Sequence, residues 1–223
     1  MHTGVTETTT RSELMATKRA KTLNDKQLAK MCEVARRTSP LPERDILMLA
    51  LSFKAGLRIG EIAKIDLDHM LDIEGDIADT ITVFSHVGKN HRERVLPMHP
   101  VVRDALASFM DAYPSAEFVA ISSQPFRWIL ARNEPIPADA QHRRASVDAL
   151  RVAYKAISKE AGFKGVSSHS GRRTFGTKLA RQVGQDTHTT IRDVQRCLGH
   201  AYLETTEAYI DVSEDVRSLV AAI

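Results

Sequence analysis

His169 and Arg172 stand three residues apart in HSGRRTF, His200 closes CLGH, and Tyr209 follows nine residues later in TTEAYI. Side chains three apart share a helix face, so His169 and Arg172 can hold one anion between them. Arginine suits a phosphate best, because its planar fork donates two parallel hydrogen bonds and keeps its charge at neutral pH. A helix starting at His169 would aim free backbone N–H groups at the same anion. A phenol ionises near pH 10 in water, so a tyrosine nucleophile needs a base or a cationic field. His169 is the candidate to accept or share that proton. Together these groups can bind a phosphodiester and attack it without a metal. Nucleases that use two metals hold them with clustered carboxylates, and no acidic cluster adjoins this basic signature. Taken singly, His-x-x-Arg is a frequent accident of helical sequence and a tyrosine on an amphipathic helix is more often core. The weight rests on the combination.

The elements that must position these residues read mainly helical. Asn24 and Gln27 have capping-box spacing, with Leu23 and Leu28 where a hydrophobic staple forms, and positions 28, 31, 32 and 35 make one stripe. Residues 43–55 are apolar nearly all round, which predicts a central helix ended by Gly56. A short helix over roughly 59–65 should follow. Residues 72–97 change period: Ile81 and Val83 alternate with threonines, and Val95 and Leu96 lie beyond Gly88-Lys89-Asn90. That predicts a small antiparallel hairpin with a basic turn. A helix over 101–113 would bury 102, 105, 106 and 109. Residues 114–144 read as a loop with a short helix near Phe126–Leu130. The last third is helical, with stripes at 147, 150, 154, 157 and 161, then Phe175, Leu179 and Val183, then Ile191, Val194 and Leu198. A short helix should hold Tyr209, and 216, 219, 220 and 223 form a last stripe. The fold class is therefore mainly α (α+β). Residues 1–20 read as a disordered basic tail, and 21–223, including a C-terminal helix at 213–223, as one domain.

Charge points to a polyanion. Net charge is only +3, but residues 142–181 hold ten Lys/Arg against Asp148 and Glu160, a local charge of +8. Such a field attracts nucleic acid. Arg143, Arg144, Arg151 and Lys155, around a helix beginning near Ser146, and Arg173 are the expected DNA contacts. Aromatic residues make up 5% of the chain, so stacking on many unpaired bases is not the expected binding mode, and the expected partner is double-stranded DNA. Cys32 and Cys197 have no framework spacing, which reads as a reducing cytoplasm. No apolar run reaches the roughly 18 residues of a membrane span.

The motifs together resemble the catalytic signature of the tyrosine recombinases, the phage integrase family, over roughly residues 22–215. AGLRIGEI is similar to the family's first phosphate-clamping arginine, here Arg58 with Glu61 three residues on. On the residues alone, Arg58 and Glu61 read as a surface pair. VGKNHRERVLP resembles the family hairpin whose turn lysine protonates the departing 5′ oxygen, which makes Lys89 that residue. The resemblance implies that His200 bonds the scissile phosphate and Tyr209 is the nucleophile. The catalytic set is then Arg58, Lys89, His169, Arg172, His200 and Tyr209. It also implies a metal-independent enzyme with no cofactor, acting in the cytoplasm on nucleoid DNA. The C-terminal segment would pack on a neighbouring protomer in a tetrameric synapse, with an accessory DNA-bending protein as a further partner. Three departures stand out. Gly171 occupies a usual leucine position and is expected to loosen helix packing. Arg173 replaces a second histidine, and the stretch around 185–189 is long. Only some 20 residues precede the matched region, where most members carry a helical DNA-binding domain, so the chain is expected to be a compact member. Alternatives are a type IB topoisomerase using the same chemistry and a DNA-binding regulator that does not cleave. A metal site at His86, His91 and His99 is the weakest, because no carboxylate or cysteine joins them with ligand spacing.

Overall fold

A computed structural model describes residues 20–88, 93–132, 134–183, 189–207 and 209. Helix α1 (Asp25–Thr38) starts at the expected capping box: the Asn24 side chain accepts from the Gln27 N–H, and Gln27 accepts from the Asn24 N–H, both at 2.9 Å. Helix α2 (Pro42–Lys54) runs through the core with Leu47, Met48, Leu49 and Leu51 fully buried, as its all-round apolar sequence requires. The short α3 (Ile59–Ile62) follows, ending earlier than its sequence predicts. Strands β1 (Thr80–Val83) and β2 (Arg94–Pro97) pair antiparallel with Ile81 opposite Leu96 and Val83 opposite Arg94. Helix α4 (Pro100–Ala112) buries Val102, Ala105, Leu106 and Phe109, the four predicted positions. A short α5 (Arg127–Ala131) interrupts the irregular region.

Helix α6 (Val147–Glu160) begins at Ser146, whose hydroxyl accepts from the Ala149 N–H at 3.1 Å. Helix α7 (Ser170–Ala180) follows His169, and α8 (Ile191–Leu198) starts at the Thr190–Asp193 capping box. Helix α9 spans Glu204–Glu207, so Tyr209 sits in a turn two residues past it rather than inside it. The stripe at 216–223 and the C-terminal helix lie outside the described residues, as do most of the basic tail and Lys89.

Helix α7 departs from its sequence reading. Phe175, Leu179 and Val183 are only partly buried and join a satellite cluster with Val194, Leu198 and Tyr209. The fully packed side of α7 is made instead of Ser170, Gly171, Arg172, Thr174, Gly176 and Ala180. All but Arg172 are small, and they let α7 lie close against α2. A Cβ built on Gly171 would stand 2.8 Å from the Ser52 Cβ and 2.9 Å from the Ser52 carbonyl carbon. Gly171 thus tightens the packing, contrary to the expectation that it would loosen it. The chain entering α1 is fastened over the same helix, because the Leu23 N–H donates to the Thr174 hydroxyl at 3.0 Å. Gly171→Ala should cost about 1–3 kcal/mol, as overpacked cores do. Ser52→Gly should recover part of that loss in the double variant; urea unfolding of the four proteins checks it.

Candidate active site

Arg58, His169, Arg172, Arg173, His200, Thr205 and Tyr209 line one open cavity of about 580 Å³. Five of the six residues singled out in the sequence as catalytic are therefore brought together from four separate stretches of chain. The sixth, Lys89, lies outside the described residues.

Arg58 stands immediately before α3. Its N–H donates to Glu61 Oε2 at 2.8 Å and its Nη1 to Glu61 Oε1 at 3.0 Å. This is no surface pair: Glu61 is 2% exposed. Its second partner is Arg94 of β2, whose Nη1 and Nη2 donate to Oε1 at 3.2 Å and Oε2 at 2.8 Å. Burial raises the Glu61 pKa, but the Arg94 bonds and charge, the Arg58 N–H and the Arg172 charge together leave it below the ordinary carboxylate value. The carboxylate stays charged because four donors surround it.

His169 occupies the N-cap position of α7, and Arg172 lies one turn on. Arg172 is 4% exposed, with Nη1 donating to the Gly56 carbonyl at 2.6 Å and Nη2 to the Leu198 carbonyl. It thereby joins the residues following α2 to the last residue of α8. Burial, and then the neighbouring Arg58 charge, lower its pKa to about 10, with Glu61 opposing. That value still leaves it cationic at neutral pH.

His200 is buried, and its Nδ1 lies 2.9 Å from the hydroxyl of the fully buried Thr206. Burial, followed by the charges of Arg172, Arg58 and Arg94, holds its pKa down at about 4. The imidazole is neutral at physiological pH. The Tyr209 ring stacks on it at 5.7 Å between centroids and 30° between planes, and the Tyr209 N–H donates to the Thr206 carbonyl at 2.9 Å. Thr206 therefore orients His200 through its side chain and Tyr209 through its backbone. Gly176 makes room for the phenol, since a Cβ there would stand 2.7 Å from Tyr209 Cδ1.

Sequence reasoning missed Arg94, Thr206 and Gly176. An arginine on a short strand carries the signature of a solvated edge, and only its alternation with exposed Val95 and buried Leu96 marks it as inward-facing. The proposed DNA contacts separate into two groups. Arg143, Arg151 and Lys155 are exposed, Arg151 in a surface pair with Asp148 at 2.8 Å, and Arg173 lines the cavity. Arg144 serves the fold: it pairs with Asp66, reaches the Ala63 and Ile65 carbonyls at 3.4 and 3.5 Å, and covers the Phe118 ring at 4.2 Å.

The phage integrase family model matches residues 21–215. The chain belongs to the phage integrase family. Curated relatives include tyrosine recombinase XerC of Bacillus licheniformis, 27% identical over 201 residues, covering 88% of this chain and 58% of the relative. Tyrosine recombinase XerD of Listeria innocua is 26% identical over 195 residues, covering 87% and 59%. The chain thus spans under two thirds of the length of these relatives. Among solved structures, the XerA recombinase superposes with a TM-score of 0.63 at 21% identity, covering 91% of this chain and 63% of that one. The integrase from mycobacterium phage Brujita gives 0.53 at 26% identity, covering 91% and 58%. The XerH recombinase bound to its difH substrate gives 0.57 at 19%, covering 91% and 54%. The matched region has the fold of the family's catalytic domain. Among the described residues no helix is long and apolar enough to cross a membrane.

The buried histidine gives a pH signature. The unfolded chain takes up a proton at His200 near pH 6.5, whereas the folded protein does so only near pH 4. Unfolded molecules thus bind more protons across that window, and stability falls as pH drops through it. His200→Gln should flatten this part of the stability–pH curve in urea unfolding. A residual slope should remain from His69, His99 and His142, which burial also holds low.

Proposed function

We propose that this chain is a site-specific DNA recombinase that cuts and rejoins strands through a 3′-phosphotyrosine intermediate. The observation that carries the reading is the Tyr209 phenol lying on neutral His200 in the cavity that Arg58, His169 and Arg172 line. Three guanidinium groups gather here (Arg58, Arg94 and Arg172), opposed by the single carboxylate of Glu61 among the groups that shift these pKa values. That excess of positive charge suits a phosphodiester anion, and fixed donors cost no reorganisation as charge builds on the non-bridging oxygens.

Arg58 and Arg172 bind the non-bridging oxygens. His200, with Nδ1 accepting from Thr206, presents Nε2–H to the same phosphate. His169 takes the phenol proton as the Tyr209 oxygen bonds to phosphorus. The P–O5′ bond breaks, and the departing 5′ oxygen receives a proton from Lys89, the role that the family resemblance assigns to it. The 5′-hydroxyl of a partner strand then attacks the phosphotyrosine and gives its proton to Lys89, the new P–O5′ bond forms as the P–O(Tyr209) bond breaks, and the phenol regains its proton from His169. One ester replaces another at each step, so no ATP is consumed.

The substrate is double-stranded DNA, approached through the exposed cations Arg143, Arg151 and Lys155 and the cavity-lining Arg173. Such contacts make binding steeply salt-dependent. The segment 213–223 links protomers into a tetrameric synapse, an accessory bending protein assists where the site demands it, and the reaction takes place in the cytoplasm. A pool of nicked duplexes with randomised cores should yield covalent protein–DNA complexes that survive denaturation. Tyr209→Phe should lose them entirely while still retaining DNA in a mobility-shift assay. A covalent complex persisting in that variant would remove Tyr209 as the nucleophile.

A further inference from the structure

We infer that Arg94 is a positioning residue for the phosphate clamp: by filling two of the acceptor directions of Glu61 it holds Arg58 to one side-chain bond and keeps the rest of that guanidinium turned to the cavity. The inference rests on the reading of the cavity as a phosphodiester site. A carboxylate offers about four lone-pair sites. On Glu61 the Arg58 N–H and the two Arg94 Nη groups use three, and Arg58 Nη1 uses the fourth. Arg58 therefore spends one of its five side-chain N–H groups on Glu61, and the residue also lines the cavity. Without Arg94, a buried carboxylate with two empty acceptor sites would draw Arg58 into the bidentate fork that such pairs prefer. The guanidinium edge would then face Glu61 instead of a phosphate.

The placement of Arg94 extends this role. Its Nε donates to the Cys197 carbonyl at 3.1 Å, three residues before His200. Its side chain also packs against Gly199, where a Cβ would stand 3.2 Å from both Cδ and Nη1. One buried side chain, 8% exposed, thus ties together the segments that carry Arg58 and His200. It sits on the strand that begins five residues after Lys89 in sequence. A purely structural need at this place could be met by apolar packing, which often matches a buried ion pair in stability.

The test uses nicked duplexes captured covalently by the wild-type protein from a randomised pool. Arg94→Met and Arg94→Lys are made in the wild-type chain and in Arg58→Ala. Arg94→Met should slow single-turnover trapping by about 10- to 100-fold while leaving the half-saturating DNA concentration within about two-fold. Arg94→Lys should fall between, since an ammonium is a point charge without the planar fork. In the Arg58→Ala background the Arg94→Met penalty should shrink to about two-fold or less, because the two act as one unit. An equal penalty in both backgrounds would overturn the positioning role. Should circular dichroism show Arg94→Met unfolded, the Arg94→Lys series is judged by the same criterion. If the wild-type protein captures no duplex, the recombinase reading itself fails, and this inference with it.

Discussion

A charge buried at Glu61 has to be paid for by donors, and the site is built from the donors that gather there. Removing a carboxylate from water costs several kcal/mol unless hydrogen bonds replace the lost hydration. The two arginines that replace it come from α3's N-cap and from β2, the latter 33 residues beyond Glu61 in sequence. One of them lines the cavity and the other stays behind it. Glu61 thus sets where Arg58 can point, and the fold of the hairpin against α3 sets where Glu61 can sit.

Arg172 follows the same logic with carbonyls in place of a carboxylate. Its guanidinium meets the backbone just beyond the end of α2 and the last carbonyl of α8, where helix dipoles concentrate negative potential. The cation is therefore held without a paired acid of its own, and its charge is left to act on the cavity. The same field keeps His200 uncharged. An anion entering this cavity meets fixed positive charge and a neutral imidazole, which can donate a hydrogen bond without adding another buried charge.

Local signals carried much of this arrangement into the sequence. The Asn24–Gln27 and Thr190–Asp193 boxes, the four buried positions of α4 and the hairpin pairing all follow from nearest-neighbour chemistry that a linear reading can see. The five cavity residues were legible because their spacing matches a family pattern. What stayed hidden depends on contacts between distant residues. Helix α7 packs through smallness rather than greasiness, so a search for apolar stripes fixed on Phe175 and Leu179 and passed over Gly171 and Gly176. Glu61 looked solvated because its neighbours in sequence include Arg58 and Lys64, and nothing nearby announces Arg94. Thr206 resembled an ordinary polar flank until His200, six residues earlier, folded back onto it.

The turn from Thr206 to Tyr209 has a consequence for biosynthesis. The proposed nucleophile is the last residue a ribosome would add to the segment 20–209, and its backbone N–H is anchored to the Thr206 carbonyl, in α9. The Leu198 carbonyl that receives Arg172 is likewise a late arrival. A nascent chain released early would carry Arg58 and Glu61 but not Tyr209. Order of synthesis alone would thus leave an unfinished copy without a complete cavity, with no inhibitor required.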